Sequence, residues 1–305
     1  MTFLPRLPLL ACSLAALFLA PNAALAKEAK PLEAAQVDET ARPALWKVSD
    51  EDTTIWLFGT IHILPRPVDW HRGPIGKAFD TSQTLVTEVP MDNQQAAQGA
   101  ILSMSGREDG RNLRDTLSAK DLGEYEAAMR GFGLPVTAFD GNDAWFAALM
   151  LTMLPLQLGG YDLENGIDRQ VGDLAQTRGM TREALETPEY QISLFESLPE
   201  DVQQRYLTEV VDALPTMKDD IGRMVEAWRT GKAEELAKML NEQEDDPAIR
   251  KVLLTNRNAN WAKWIEDRMD KPGSVFIAVG AGHLAGSDSV QAILAQHGFK
   301  AERVQ

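Results

Sequence analysis

Short hydrophobic runs bounded by turn-forming residues predict β-strands at both ends of the chain. Near the amino end, "ALWKVS" and "TTIWLFGT" flank the polar turn "DED", a pattern that predicts a β-hairpin. The next apolar run, "TLVTEVP", follows a short helical stretch, so it should lie parallel to the second hairpin strand in a βαβ unit. Near the carboxyl end, "SVFIAV" and "KAERV" predict two further strands with a helix between them.

The middle of the chain has the periodicity of helices. "DAWFAALMLTMLPLQL" is apolar on nearly every side and predicts a buried helix that Pro155 bends or ends. Amphipathic stretches predict more helices up to residue 269, and "TREALET" is a short strand candidate among them. We therefore predict an α/β (α+β) fold over residues 44–305, taken as one domain. Its mixed β-sheet is built from the N- and C-terminal parts of the chain, with a large, mainly helical insertion over about 91–270.

The first residues have the pattern of a targeting segment. Arg6, the apolar run "LPLLACSLAALFLA" and the small residues up to Ala26 predict a signal peptide, residues 1–26, that is cleaved after Ala26. Residues 27–43 are polar and predict a linker or flexible arm. The expected location is therefore periplasmic or secreted, with no membrane span after cleavage.

The net charge limits the classes of binding partner, and the cysteine content limits the disulfides, that we expect. The chain has 45 acidic and 30 basic residues and a net charge of −15, which argues against nucleic acid and anionic membrane surfaces. Its single cysteine, Cys12, lies in the predicted signal peptide, so we expect no disulfide in the mature protein.

The candidate chemistry begins with a repeated G-x-x-H motif. Gly59 and His62 follow one predicted strand, and Gly280 and His283 follow another, although the chain has only four histidines. Ligands of open α/β sheets gather at the carboxyl ends of parallel strands, so the two imidazoles should converge there if their strands are parallel neighbours. The alternative is that each glycine only permits a tight strand exit and each histidine caps a helix.

Two glutamates extend this candidate site. Glu88 lies in an apolar strand, where a carboxylate is costly unless it is paired or bound to a cation, and Glu186 ends "TREALET" in the same way. Two histidines and one or two carboxylates suit a divalent ion such as zinc, manganese or cobalt. The predicted ligands are His62, Glu88 and His283. The alternative for Glu88 is an edge-strand position facing water.

Three polar residues on predicted helices complete the set. Arg257 falls on one apolar helical stripe with Leu253 and Trp261, so it must either snorkel to solvent or meet an acid, and we predict a pair with Glu88, Glu186 or a substrate carboxylate. The adjacent Asn258 is placed to hydrogen-bond a site residue. Asp168 has the same potential, with helix capping as its alternative.

Taken together, these fragments resemble the TraB/GumN family, which includes the Tiki proteins. "LFGTIH", "TLVTEVP", "ENGIDRQ", "ALETPEYQISLFESLP", "LLTNRNANWAKWI" and "VFIAVGAGHLAG" occur in the family's order from about residue 44 to the end. The family is distantly similar to ChaN-like and erythromycin-esterase-like proteins. Tiki members are metal-dependent proteases with two G-x-x-H motifs, which points by position to His62, Glu88 and His283, with Glu186, Arg257 and Asn258 in support.

Three hypotheses follow from the residues and the resemblance. The leading one is an exported, metal-dependent peptidase that acts on a peptide or protein, with Glu88 as ligand or base. The second is a metal-free, esterase-like hydrolase with a histidine general base, as the esterase-like relatives imply. The third is a non-catalytic protein that captures a peptide or a haem-like ligand in the same cleft.

Overall fold

The computed structural model describes residues 41–91, 94–241 and 246–305. The predicted signal peptide and residues 27–40 of the predicted arm lie outside this described part. No helix within it combines the length and the apolar character needed to cross a lipid bilayer.

A mixed sheet forms the centre of the molecule, as the hydrophobic pattern predicts. Its strands, in the described ranges, are β1 (Leu45–Ser49), β2 (Thr53–Thr60), β3 (Thr84–Thr87), β4 (Thr181–Ala184), β5 (Gly273–Gly280) and β6 (Glu302–Arg303). Their order across the sheet is β4-β3-β5-β2-β1-β6. The hairpin of β1 and β2 is confirmed. β5 lies between β2 and β3 and runs parallel to both, so β2 and β3 are parallel as predicted, but not adjacent.

Helices make up most of the segment between β3 and β5. The α-helices of the described ranges are α1 (Gly73–Asp80), α2 (Gln94–Met104), α3 (Ala119–Gly131), α4 (Ala144–Leu158), α5 (Ile167–Thr177), α6 (Pro188–Glu196), α7 (Glu200–Ala213), α8 (Met217–Arg229), α9 (Ala233–Asn241), α10 (Pro247–Arg250), α11 (Asn256–Met269) and α12 (Val290–Gln296). A π-helical turn, Lys251–Thr255, joins α10 to α11. The predicted helix over 247–269 is therefore continuous but locally widened.

The sheet is not built from the chain termini alone. β4 comes from the middle of the helical insertion and pairs in parallel with β3. This pairing removes β3 from the sheet edge and gives it strand neighbours on both sides. The last strand is also shorter than the predicted "KAERV", because only Glu302 and Arg303 pair with β1.

Alternate residues of the inner strands bury two separate hydrophobic clusters. On β5, Phe276 and Ala278 face the larger cluster, which contains most of the helical insertion. Ile277 and Val279 face the smaller one, where α11 and α12 cover the sheet. Burial on both faces explains why this strand is continuously apolar rather than alternating in sequence.

Gly59, near the end of β2, lies in close contact with the segment that follows β5. A Cβ atom at this position would lie 3.0 Å from Cα and 3.1 Å from Cβ of Ala281, just after β5. The Gly59 carbonyl also accepts a hydrogen bond of 2.7 Å from Nε1 of Trp228 at the end of α8. At Gly59 the two G-x-x-H segments are therefore in close contact, and Trp228 of α8 packs on this contact.

Gly59→Ala should destabilise the protein, because the added methyl group overlaps the backbone at Ala281. We expect a loss of roughly 1–3 kcal/mol in the free energy of unfolding, measured by urea titration. Gly123→Ala is the matched control, since Gly123 lies within α3 and a Cβ there meets nothing within 4 Å. This control should gain up to about 1 kcal/mol. Equal effects of the two substitutions would contradict the close contact.

Candidate functional site

Both G-x-x-H motifs and Glu88 leave the sheet along the same rim. Thr60 on β2 pairs in register with Gly280 on β5, and Thr87 on β3 pairs with Ala278. The two motif strands are therefore parallel neighbours, which was the condition for the two imidazoles to converge. Beyond the rim, however, the two histidines enter different surroundings.

Arg257 is the centre of a buried polar cluster at this rim. Its side chain, on α11, is fully buried. Its Nη2 donates to Oε2 of Glu88 at 2.6 Å and to Oε2 of Glu186 at 2.8 Å, while its Nε donates to Oε1 of Glu186 at 2.9 Å. Pairing with both predicted acids is confirmed, and snorkelling to solvent is excluded. Both carboxylates accept charge-assisted bonds from one planar guanidinium.

Two further residues, which lie outside the G-x-x-H motifs, complete this cluster. Gln191, on α6, donates from Nε2 to Glu88 at 3.2 Å and to Glu186 at 2.9 Å. Trp261, one turn after Arg257, donates from Nε1 to Oε1 of Glu186 at 2.9 Å, and its ring lies 4.8 Å from the guanidinium carbon. The sequence held a signal for Gln191, since it shares a helical stripe with Leu194 and Phe195.

His283 belongs to the same cluster and is fully buried. Its Nδ1 lies 2.6 Å from Oδ1 of Asn258, and the Asn258 amide donates to the Asp288 carbonyl at 2.7 Å, which fixes the amide orientation. Nδ1 therefore carries the proton, and Nε2 accepts from Nη1 of Arg257 at 3.1 Å. Burial and the Arg257 charge lower the pKa of His283 to about 3. The predicted contact of Asn258 with a site residue is confirmed.

Glu88 is held ionised although it is buried. Burial is the largest single effect and raises its pKa, but Arg257, His283, His62 and the Gly280 amide together lower it by more, and the pKa falls to about 2. The Gly280 N–H donates to Oε1 at 2.7 Å. Glu88 lies just after β3, an inner strand, so the alternative of a water-facing edge position is wrong.

His62 forms a second, separate polar group with Asp168. Its Nδ1 lies 2.7 Å from Oδ2 of Asp168. The two atoms are in ion-pair contact, but their relative orientation is not that of a hydrogen bond. The other carboxylate oxygen accepts from the Thr60 hydroxyl at 2.7 Å, so Asp168 is held in place from β2. Burial is the largest single effect and lowers the pKa of His62, but the charge and close contact of Asp168, together with the charge of Glu88, outweigh it, and the net pKa is raised above its ordinary value.

Gly166 fixes the segment that carries His62, and no sequence signal indicated it. A Cβ on Gly166 would overlap the His62 carbonyl. The next residue, Ile167, begins α5 and donates its N–H to the Ile61 carbonyl at 2.8 Å. The start of α5 therefore packs directly on the first G-x-x-H segment and places Asp168 beside His62. Asp168 is not the helix cap, since Gly166 occupies that position.

His62 lines a cleft that is partly open to solvent. We call the part lined by Thr60, His62 and Gly282, which follow the strand ends, its floor, and the part lined by apolar side chains of α8 and α9 its walls. The His62 side chain is 8% exposed, and its Nε2 has no hydrogen-bond partner among the described residues. His283 does not line this cleft. His283 is instead fully buried against Trp261 and Asn258, so the two imidazoles reach the same rim but only His62 lines the cleft.

The predicted metal ligands do not form a donor set in this arrangement. Nε2 of His283 lies 4.0 Å from Oε1 of Glu88, and the cation beside both is Arg257. The described ranges contain no group of three histidine, cysteine, aspartate or glutamate side chains that could hold a metal ion. His62, Glu88 and His283 thus do not fit a shared ion here, and metal binding stays a prediction of the sequence.

Removing the Arg257 charge should destabilise the protein strongly, because Glu88 and Glu186 would remain buried without a cation. Arg257→Met should cost about 3–5 kcal/mol in the free energy of unfolding by chemical denaturation. Arg205→Met is the matched control, since Arg205 pairs with Asp201 and Asp246 while half exposed. The control should cost under about 1 kcal/mol. A small loss in Arg257→Met would show that the cluster does not depend on this guanidinium.

The low pKa of His283 should make the protein less stable in mild acid. The unfolded chain protonates this residue near pH 6.5, whereas the folded chain keeps it neutral down to about pH 3. The unfolded state therefore binds the additional proton, and stability falls with decreasing pH across this window, at up to about 1.4 kcal/mol per pH unit.

His283→Gln tests this pH effect. Although the variant should be less stable at pH 7, its free energy of unfolding should decline less steeply between pH 6.5 and 5 than that of the unsubstituted protein. His297→Gln, at a half-exposed helix end, should keep the original slope. If all three proteins show the same slope, His283 is not the responsible group.

Comparison with known proteins places the chain in a family. Neither the search of curated proteins nor the search of solved structures gives a match. The model of the TraB/PrgY/gumN family, by contrast, matches residues 44–303, which include both G-x-x-H segments, the buried Arg257 cluster and the His62–Asp168 pair. The chain belongs to the TraB/PrgY/gumN family.

Proposed function

We propose that the protein is a hydrolase in which His62 is the general base that activates water for attack on a carbonyl carbon. The observation that carries this proposal is the His62 side chain, which lines a partly open cleft, has no hydrogen-bond partner at Nε2 among the described residues, and lies with Nδ1 in ion-pair contact, 2.7 Å from the Asp168 carboxylate. We also propose export, on the sequence pattern of residues 1–26.

The pairing with Asp168 suits His62 to proton transfer. Because the Asp168 carboxylate lies 2.7 Å from Nδ1, its charge favours the tautomer with the proton on Nδ1, which leaves the lone pair of Nε2 free to accept a proton. In the first step Nε2 takes a proton from water as the water oxygen bonds to the carbonyl carbon. In the second step the bond to the leaving group breaks, and the leaving group receives that proton from Nε2. The raised pKa of His62 favours both transfers near neutral pH.

Direct attack by water fits the residues at the cleft better than a covalent intermediate does. Thr60 is the one hydroxyl side chain in the described lining, and it donates to Asp168. The lining has no serine or cysteine among the described residues. A nucleophile of the protein itself is therefore not part of the proposal.

The buried Arg257 cluster has a positioning role in this proposal. Glu88 holds the Gly280 amide, and Arg257 holds His283, so the segment from 280 to 283 is fixed at both ends. Gly282 in that segment forms part of the cleft floor. We propose that the cluster keeps the cleft in shape and does not touch the substrate.

His62→Asn should lower kcat by about 10²–10⁴-fold, because the base is lost. The assay uses purified protein, a panel of esters and short peptides, and parallel samples with and without a chelator. Asp168→Asn should also lower kcat and shift the lower apparent pKa of the rate profile downward, because Asp168 is what raises the pKa of His62. His71→Asn, at a partly exposed turn outside the cleft, is the control and should leave kcat unchanged.

Each contrary result points to one of the other hypotheses. Turnover that survives in His62→Asn contradicts the proposed base. Loss of turnover on chelation, restored by manganese, cobalt or zinc, supports the metal-dependent peptidase. Tight capture of a peptide or haem-like ligand without turnover of any panel member supports a binding protein.

A further inference from the structure

The cleft beside His62 has walls of one chemical type. Three aliphatic or thioether side chains, Ile221, Met224 and Val225, project from α8, and Leu236 and Leu240 project from α9. A cleft that is lined by apolar groups around a single convergent polar group is typical of a small-molecule pocket. The side chains of the walls can therefore bury an apolar group, but they cannot form hydrogen bonds with it.

The polar groups in the cleft are confined to the floor. His62 is the one ionisable side chain in the described lining, and the Thr60 hydroxyl is already bonded to Asp168. A charged or strongly polar group between α8 and α9 would lose its hydration without a partner, which is unfavourable. The chain is also acidic overall, with a net charge of −15, so an anionic occupant is disfavoured further.

We propose that this cleft binds an aliphatic acyl chain whose carbonyl carbon lies at His62. This proposal rests on the proposed function, because it places the group that is cleaved at Nε2 of His62. The alkyl part lies between α8 and α9, and the carbonyl lies on the floor next to Gly282. The substrates are then esters or amides of medium-length aliphatic acids, and the wall residues set the preferred chain length.

The binding test uses alkyl methyl ketones, which carry the carbonyl but have no bond to hydrolyse. Isothermal titration calorimetry across 2-butanone to 2-decanone should show affinity rising up to about fourfold for each added methylene until the cleft is filled. Val225→Trp should abolish this dependence by filling the cleft. Val225→Thr keeps the side-chain shape and places a hydroxyl in the wall, so it should weaken the longer ketones selectively.

Leu158→Trp is the control for an added indole ring, since Leu158 is 71% exposed at the end of α4 and lies outside the cleft. This variant should bind every ketone as the unsubstituted protein does. Affinity that is independent of chain length, or unchanged in both Val225 variants, would overturn the acyl site.

The ketone series separates this inference from the proposed function. Chain-length-dependent binding without turnover of acyl esters supports the acyl site and contradicts the hydrolase. Ester turnover that needs His62 but shows the same kcat/KM for acetyl and octanoyl esters supports the hydrolase and overturns the acyl site. Turnover whose kcat/KM rises with acyl length and falls in Val225→Thr supports both.

Discussion

The structure depends on one buried guanidinium. Arg257 holds Glu88 from the end of β3, Glu186 from the segment after β4 and His283 from the segment after β5. Each of these groups would be costly to bury alone, and the single cation beside Trp261 makes their burial possible together. Because the three segments are far apart in sequence, this contact fixes the relative positions of strand ends that the hydrophobic core alone would leave to approximate packing.

The π-helical turn before Arg257 belongs to this constraint. Residues Lys251–Thr255 widen the helix immediately before α11. The Arg257 side chain then reaches back to the Leu253 carbonyl within the turn, at 3.2 Å, as well as forward to the carboxylates. Single π turns inside helices are frequent at functional sites, where they redirect side chains. Here the turn lies next to the charged cluster, and the regular helix resumes where α11 packs on the sheet.

The sequence predicts the parts of the site that break a local rule. A carboxylate at the end of an apolar strand and an arginine on an apolar helical stripe both demand a partner, and Glu88 and Arg257 are each other's partner. Gly166 breaks no such rule, since its role lies in its distance from the His62 carbonyl. The sequence also did not predict that α8 and α9 form the cleft walls. The tertiary packing decides which face of an amphipathic helix borders a cleft. β4 showed only a weak strand pattern, which its exposed edge position explains.

The two G-x-x-H motifs show how one sequence pattern acquires two chemistries. Each histidine follows a strand and meets a side-chain oxygen at Nδ1, but that oxygen belongs to a carboxylate for His62 and to a neutral amide for His283. At Nε2, His62 is buried and has no hydrogen-bond partner among the described residues, whereas His283 accepts a hydrogen bond from the Arg257 guanidinium. A nearby anion raises the pKa of the first histidine, and burial together with a cation lowers that of the second. The motif therefore brings both imidazoles to the same rim, while their neighbours shift the two pKa values in opposite directions, and this difference is why we propose His62 rather than His283 as the base.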